Sequence, residues 1–187
     1  MLGLPRGGIP VAAEVARALR APLEVFVSRK IGAPGHEEFG IGAVAEDSEE
    51  VLVSESAQRV GVGPAQMQAL AARASRELQT RVETYRRGRE LPELTGRTVI
   101  LVDDGLATGI TAEAALRSLR RHEPQRLLLA TPVCAAGTRN RLRTLADEVI
   151  CLGTPRNFLA VGHWYDNFDQ TSDQEVLDLL AGDTPEG

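Results

Sequence analysis

The sequence predicts an α/β fold, a mainly parallel sheet flanked by helices, because short apolar runs alternate with amphipathic helical patterns. The apolar runs are rich in Val, Ile and Leu, which is typical of strands buried on both faces. At 187 residues and 43% apolar content, the chain is long enough for one domain with its own core. The predicted strands are residues 1–4, 23–27, 41–45, 51–53, 98–102, 126–133 and 148–152.

Four segments between and after these strands show helical spacing. Residues 11–19 and 112–119 each carry one apolar stripe, and a C-terminal helix is expected over residues 173–180. The segment from Pro64 to about Arg87 keeps this spacing for about six turns. Such a helix must pack on the sheet, pack on a second subunit or serve as a flap, and the sequence leaves these three open.

The domain organisation follows from changes in composition along the chain. We expect a core α/β domain over residues 1–152, with a helical insertion at about 64–88. After Leu152 the character changes, since residues 153–170 hold four of the seven aromatic residues. We therefore expect a small C-terminal hood segment and a last helix over residues 153–187.

Charge and composition exclude several classes of protein. A net charge of −5 argues against duplex nucleic acid as the partner, and the cluster of Arg86, Arg87 and Arg89 is interpreted as a solvated helix end. The sequence has no run of about 18 apolar residues and no signal pattern. We therefore expect no membrane-spanning segment and a cytoplasmic location. Cys134 and Cys151 lie in apolar runs and are expected to be buried free thiols.

The stretch from Thr98 to Thr111, TVILVDDGLATGIT, carries the strongest functional signal. An apolar strand ends in Asp103 and Asp104, and ligands of open α/β sheets bind at this end of the strands. A small-residue loop follows, and then a helix N-terminus, which together favour an anion. Carboxylates accept hydrogen bonds from hydroxyls or hold a divalent metal, so a sugar phosphate suits both halves. The alternative is a plain turn at Asp104, but a helix follows it rather than a strand.

A second glycine-containing turn, Arg6-Gly7-Gly8, precedes the first helix and is also suited to an anion. Other phosphate motifs fit poorly. A P-loop needs Gly-Lys-Ser/Thr, and the only lysine, Lys30, is followed by Ile31. The run GIGAVA over residues 40–45 formally fits a dinucleotide motif, but it has the pattern of a strand.

The stretch VILVDDGLATGIT resembles the signature of the type I phosphoribosyltransferases, which bind 5-phosphoribosyl 1-diphosphate (PRPP). The resemblance implies that Asp103 and Asp104 face the ribose hydroxyls and contribute indirectly to a metal site, through Mg²⁺ bound to PRPP. It implies a 5-phosphate loop made of Ala107, Thr108, Gly109, Ile110 and Thr111.

Two further stretches extend the resemblance. LGLPRGGIPVA is similar to the family's pyrophosphate loop, and the matching residues are Arg6, Gly7, Gly8. In SRKIG, Arg29 and Lys30 resemble basic residues that the family directs at the diphosphate. Residues 33–40 occupy the place of a mobile catalytic loop, in which His36 is either a proton donor or a plain loop histidine, and the second is favoured.

The segment TPRNFLAVGHWYD resembles the hood of purine-using members, with Phe158 as the stacking aromatic and Asp166 after it. Trp164, Tyr165 and Phe168 are interpreted as hood core. Hypoxanthine-guanine enzymes have an aspartate at the position of Ala107 and a lysine after the following strand. This chain has neither, which makes a 6-oxopurine substrate doubtful. Family members usually have structure before the first strand, whereas Met1 falls inside that strand here, so we expect that an upstream helix is missing from this sequence.

The resemblance implies Mg²⁺-dependent transfer of the phosphoribosyl group from PRPP to a nitrogen acceptor, a nucleobase, with release of pyrophosphate. Asp103, Asp104 and Lys30 would be the catalytic residues. The resemblance also implies a homodimer and a role in nucleotide metabolism. Two alternatives stay open: a regulatory protein that binds PRPP or a nucleotide with little transfer, and a sugar-phosphate enzyme of another family. The sequence does not identify the acceptor base.

Overall fold

The structure is a computed structural model that describes residues 1–182. The last five residues of the predicted C-terminal segment, 183–187, lie outside the described part of the chain. The strands are β1 (Leu2–Gly3), β2 (Glu24–Val25), β3 (Ser28–Ala33), β4 (His36–Ala45), β5 (Leu52–Val53), β6 (Thr98–Val102), β7 (Arg126–Val133) and β8 (Glu148–Gly153). The helices are α1 (Gly8–Leu19), α2 (Glu55–Arg59), α3 (Pro64–Arg86), α4 (Ile110–Arg120), α5 (Ala136–Leu142) and α6 (Asp173–Gly182), with a 3₁₀ turn at Val161–Trp164.

A five-stranded parallel sheet in the order β2-β1-β6-β7-β8 forms the centre of the molecule. The predicted α/β class with a mainly parallel sheet is therefore confirmed. The short β1 pairs with β6 in the register Gly3 to Val102, so both strands end at the same edge. This register brings the turn after β1 beside the acidic residues after β6.

Strands β3, β4 and β5 form a separate antiparallel sheet. The prediction of a loop over residues 33–40 is wrong, because β3 and β4 form a hairpin in which Pro34 and Gly35 are the only residues between the strands. The polar start of β4 hid this strand from the sequence pattern, since His36 to Phe39 are exposed. Residues 40–45 are part of β4, as predicted for GIGAVA.

Apolar side chains cover both faces of the parallel sheet. Helices α4 and α5 pack with Leu101 and Leu129 on one face, and α1, α3 and α6 pack with Val25 and Val102 on the other. The predicted stripe of α4 is fully buried, whereas Leu19 at the end of the α1 stripe is 57% exposed. Helices α2 and α5 were not predicted.

The long helix α3 packs on the β3–β4 hairpin and on α6. Its buried face carries Met67, Ala71 and Leu78, and its length agrees with the prediction. None of the described helices is both long enough and apolar enough to cross a membrane.

The interpretation of Arg86 as part of a solvated helix end is wrong, because Arg86 is only 5% exposed. Its Nη2 donates to Glu46 Oε1 at 2.6 Å and to the Val25 carbonyl at 3.0 Å. Desolvation by burial raises the pKa of Glu46 to about 7, against the opposing effect of Arg86. This buried pair joins the end of α3 to the end of β4. The other two arginines of the cluster are exposed, as predicted.

Candidate functional site

The carboxyl end of β6 carries Asp103 and Asp104, which we call the acidic edge. The turn after β1 is pressed against it: a Cβ on Gly7 would overlap the carboxylate of Asp104, and one on Gly8 would lie 2.7 Å from the Val102 carbonyl. Only glycine at position 7 permits this approach. The two glycines and the two carboxylates, which are nearly a hundred residues apart in the sequence, therefore form one wall.

Burial governs the charge of the acidic edge. Desolvation, followed by repulsion from Asp104, raises the pKa of Asp103 well above its usual range. Desolvation also raises the pKa of Asp104. The Asp104 amide donates to Asp103 Oδ1 at 3.0 Å, which holds the first carboxylate in place. A ligand that supplies hydroxyl donors or a cation would relieve the repulsion between these groups.

The loop after the acidic edge, residues 107–111, leads into α4 and is called the phosphate loop below. Gly109 precedes the helix with φ 66°, a left-handed conformation that favours glycine. Ala107 and Thr108 are exposed. The first amides of α4 have no acceptor within the helix, so this end of the helix favours an anion.

Arg6 lies on the turn after β1 but does not point freely into solvent. Its Nη1 is 3.6 Å from Asp173 Oδ1 at the start of α6, and Tyr85 Oη donates to the same oxygen at 2.6 Å. The peptide bond between Pro5 and Arg6 is cis. The Gly8 amide donates to the Leu4 carbonyl at 3.0 Å, which closes the turn.

Arg29 and Lys30 project to opposite faces of the hairpin, because neighbouring residues of a strand alternate. Arg29 forms an ion pair with Glu77 of α3, away from the acidic edge. The stem of Lys30 lies against Gly40, as does Ile110 at the start of α4. The structure thus brings Lys30 towards the phosphate loop and places Arg29 on the α3 side.

Lys30 is held by the hairpin itself. Its Nζ donates to the Glu38 carbonyl at 2.9 Å and to Glu38 Oε2 at 3.0 Å. The Lys30 side chain is half-buried, and the Glu38 side chain is fully exposed. A bound anion can therefore replace Glu38 as the partner of the Lys30 ammonium with little loss of free energy, since exposed ion pairs contribute little to stability.

The hood segment covers the acidic edge through Tyr165. Tyr165 Oη donates to the Asp104 carbonyl at 2.6 Å, and its ring packs on Phe168 with centroids 5.2 Å apart. Desolvation, with the nearby aspartates, raises the pKa of Tyr165 to about 12, so it stays a donor. Phe158 is half-buried and Asp166 is exposed. Trp164 is 50% exposed and Phe168 is 48% exposed, so their assignment to the hood core is wrong.

The remaining residues that the sequence singled out lie as follows. Cys134 is buried, Cys151 is half-buried, and both are free thiols. His36 and His163 are exposed. No contact of these side chains within residues 1–182 joins them to the acidic edge, so they are given no role.

Comparison with known proteins decides the family. The model of the phosphoribosyl transferase domain matches residues 1–165. The chain belongs to the phosphoribosyl transferase family. The resemblance carried by VILVDDGLATGIT is thereby confirmed, and the alternative of a different sugar-phosphate family is set aside.

Individual relatives agree with this assignment. A Mycobacterium tuberculosis protein named "Putative phosphoribosyl transferase" is 47% identical over 180 residues, which cover 96% of this chain and 41% of the relative. This chain thus spans less than half the length of that curated relative. The crystal structure of TT1426 from Thermus thermophilus superimposes with a TM-score of 0.78 at 42% identity, covering 97% of this chain and 86% of that one.

A shorter match involves a named base. The uracil phosphoribosyltransferase of Aquifex aeolicus is 37% identical over 59 residues, which cover 32% of this chain and 28% of the relative. The match therefore concerns one part of the phosphoribosyl transferase domain.

Phosphoribosyl transferases generally use Mg²⁺. The acidic edge suits this ion only when a bound ligand supplies further contacts. Among residues 1–182, no group of three or more His, Cys, Asp or Glu side chains could hold a metal ion. Two half-buried carboxylates favour a nearby cation, but Mg²⁺ needs further oxygen ligands. Those oxygens would come from the bound substrate, which agrees with an indirect metal site.

Sequence reasoning missed three side chains of this candidate site. Tyr165 was interpreted as hood core rather than as a contact of Asp104. Thr138 and Arg141 of α5 contact the phosphate loop, and α5 itself was not predicted. The available signal was the helical spacing of Thr138, Arg141 and Leu142 after an apolar strand, although a helix of two turns gives a weak pattern.

Proposed function

We propose that the protein is a Mg²⁺-dependent phosphoribosyltransferase, which transfers the phosphoribosyl group of PRPP to a nitrogen acceptor and releases pyrophosphate. The observation that carries the proposal is the contact between the turn after β1 and the acidic edge. Gly7 lies against Asp104 and leaves no room for a side chain between them. A pyrophosphate loop and ribose-binding carboxylates must meet in this way if one ligand is to contact both.

The chain offers a group for each part of PRPP. The phosphate loop would bind the 5-phosphate at the start of α4, where helix amides favour an anion. Asp103 and Asp104 would accept hydrogen bonds from the ribose hydroxyls. The backbone of residues 6–8 and the ammonium of Lys30 would contact the diphosphate. These contacts fix the ribose for attack at its C1.

Charge develops in two places during such a transfer. Positive charge grows at the ribose C1, and the departing diphosphate gains negative charge. The acidic edge would stabilise the first and Lys30 the second. Mg²⁺, when bound with the substrate, would neutralise part of the diphosphate charge. Arg29 is not among the proposed diphosphate contacts, since it lies against Glu77 on the other face of the hairpin.

A nucleobase is the acceptor class that we propose. We assign Phe158 and Asp166 of the hood to base recognition, because aromatic side chains stack on any base. The name of the Aquifex aeolicus relative points to the same class. The departures from the hypoxanthine-guanine pattern at Ala107 and at residues 131–136 argue against a 6-oxopurine. The homodimer and the cytoplasmic location stay predictions.

A phosphorus NMR time course of PRPP and Mg²⁺ with the protein tests this function. The reaction contains a mixture of nucleobases, from which one base at a time is omitted. Pyrophosphate that forms with the full mixture, and stops when one base is left out, would establish the transferase and identify its acceptor. A matched reaction with Asp104→Asn protein controls for contaminating enzymes.

The same spectra separate the regulatory alternative. Broadening of the PRPP signals without turnover would favour a protein that binds PRPP and does not transfer its ribose to any base tested. Folded protein that neither broadens nor consumes PRPP would contradict both forms of the proposal.

A further inference from the structure

Helix α5 packs against the outer side of the phosphate loop. Thr138, Arg141 and Leu142 lie on one face of α5, as their i, i+3, i+4 spacing requires. A Cβ built on Gly109 would lie 2.5 Å from Thr138 Cγ2 and 3.1 Å from Leu142 Cδ1. The loop backbone therefore rests directly on α5.

Two side chains of α5 bind consecutive carbonyls of the loop. Thr138 Oγ1 donates to the Ala107 carbonyl at 2.5 Å, and Arg141 Nη2 donates to the Thr108 carbonyl. Thr138 is 8% exposed, so its hydroxyl is shielded from competing water. Arg141 Nη1 also pairs with Glu113 of α4, which leaves the guanidinium little freedom.

These bonds orient the amides of the loop. In a trans peptide unit the C=O and the next residue's N–H point in opposite directions. Because the carbonyls of Ala107 and Thr108 point to α5, the amides of Thr108 and Gly109 point away from it. No described residue accepts a hydrogen bond from either amide. Two donors are thus presented on the open side of the loop.

The position of α5 is itself fixed by the sheet. The Leu106 amide donates to the Val133 carbonyl at 3.0 Å, and the Ala135 amide donates to the Leu106 carbonyl at 2.9 Å. These bonds extend the pairing of β6 and β7 beyond the strands, up to the residue before α5. The start of α5 is therefore anchored to the sheet.

We propose that Thr138 and Arg141 are positioning residues that hold the phosphate loop open for a phosphate monoester, the 5-phosphate of a ribose. The proposal rests on the proposed function, because it concerns the substrate of the same site. Neither side chain needs to touch the phosphate. Each acts through a loop carbonyl, and loss of either should weaken binding of the 5-phosphate without affecting the diphosphate.

Calorimetric titration with two ligands tests the proposal. Ribose 5-phosphate probes the phosphate loop, and pyrophosphate with Mg²⁺ probes the turn after β1. The variants are Thr138→Val and Arg141→Gln, with Thr138→Ser to restore the hydroxyl. The controls are Thr144→Val and Arg143→Gln. The Thr144 hydroxyl donates to the Arg141 carbonyl rather than to the phosphate loop, and Arg143 is exposed.

Loss of one hydrogen bond predicts a dissociation constant for ribose 5-phosphate that rises about three- to tenfold in Thr138→Val and in Arg141→Gln. The dissociation constant for pyrophosphate should stay unchanged in both variants. Thr138→Ser and the two controls should bind ribose 5-phosphate as the wild type does. If Thr138→Val does not fold, Arg141→Gln decides, because the Arg141 side chain is 44% exposed.

Three results would overturn the inference. Variants that bind ribose 5-phosphate as the wild type does would contradict it and leave the proposed function intact. Equal losses for both ligands would assign Thr138 and Arg141 a general structural role. Wild-type protein that binds neither ligand would reject the proposed function, and with it this inference.

Discussion

The two regions that supply the proposed anion contacts are built differently. At the edge of the parallel sheet, the groups are backbone amides beside two half-buried carboxylates, and glycine contacts and α5 hold them in place. On the β3–β4 hairpin, the group is the long cationic side chain of Lys30, which already has a carboxylate partner in Glu38. The edge needs no rearrangement to receive a ligand, whereas the hairpin has to exchange one partner for another.

This difference indicates how a single site can combine precise binding with release. Preorganised amides at the sheet edge lose little conformational freedom when a phosphate binds. The exposed ion pair of Lys30 and Glu38 on the hairpin is weak, and its partners are therefore easy to exchange. At its base, the hairpin is joined to the end of α3 through the buried pair of Glu46 and Arg86.

The largest effect is expected at that base. Arg86→Met would leave Glu46 buried without its cation and should lower the free energy of unfolding by about 3–5 kcal/mol near neutral pH. The raised pKa of Glu46, about 7, means that the folded state binds a proton more readily than the unfolded state. Stability from this group therefore falls as pH rises from the usual glutamate range through about 7.

Urea unfolding of Arg86→Met at about pH 5 and about pH 7.5 checks this prediction. The loss should be smaller at the lower pH, because a protonated Glu46 carries no uncompensated charge. Arg87→Met, at the exposed neighbouring position, is the matched control. Equal losses in the two arginine variants would mean that the buried pair does not secure the hairpin.

The next effect concerns the sheet edge. Asp104→Asn keeps the shape of the side chain but removes its charge, so turnover of PRPP should fall about a hundredfold or more. Release of pyrophosphate under saturating substrate measures it, and circular dichroism confirms folding. Near-native turnover in the folded variant would count against the acidic edge as a catalytic element.

A smaller effect separates the two cations of the hairpin. Lys30→Ala should lower turnover about tenfold or more, because a charge-assisted contact to the diphosphate is lost. Arg29→Gln should change turnover little, since that side chain binds α3. The paired assay of both variants, with unfolding curves, tests the assignment. The reverse order of effects would show that Arg29, rather than Lys30, reaches the diphosphate.

The smallest expected effect is the release of protons when Mg²⁺ and PRPP bind. Burial raises the pKa values of Asp103 and Asp104, and a bound Mg²⁺–PRPP favours their ionised forms. Binding should therefore release protons, and affinity should rise as the pH increases above the usual aspartate range. Calorimetry in buffers of different ionisation enthalpy measures the release. Asp103→Asn should reduce it, and an unchanged value in that variant would place the titration elsewhere.

The sequence allowed prediction of the sheet edge because its signals are local. Asp103, Asp104 and the phosphate loop follow one another along the chain, and a buried parallel strand ends there in any α/β fold. Strand β3 was missed because its Arg29 and Lys30 look like loop residues. Their partners Glu77 and Glu38 are chosen by packing, which a single sequence does not show. Packing also determines the carbonyl acceptors of Thr138 and Arg141, because these depend on where α5 lies in the folded protein.

The crystal structure of the protein with PRPP and Mg²⁺ is the most direct test of the central claim, that one ligand spans the sheet edge. We predict the 5-phosphate on the amides of residues 107–111 and the ribose hydroxyls on Asp103 and Asp104. The diphosphate should lie on residues 6–8, with Lys30 released from Glu38. A PRPP molecule bound away from the acidic edge, or bound there with its ends reversed, would contradict the account.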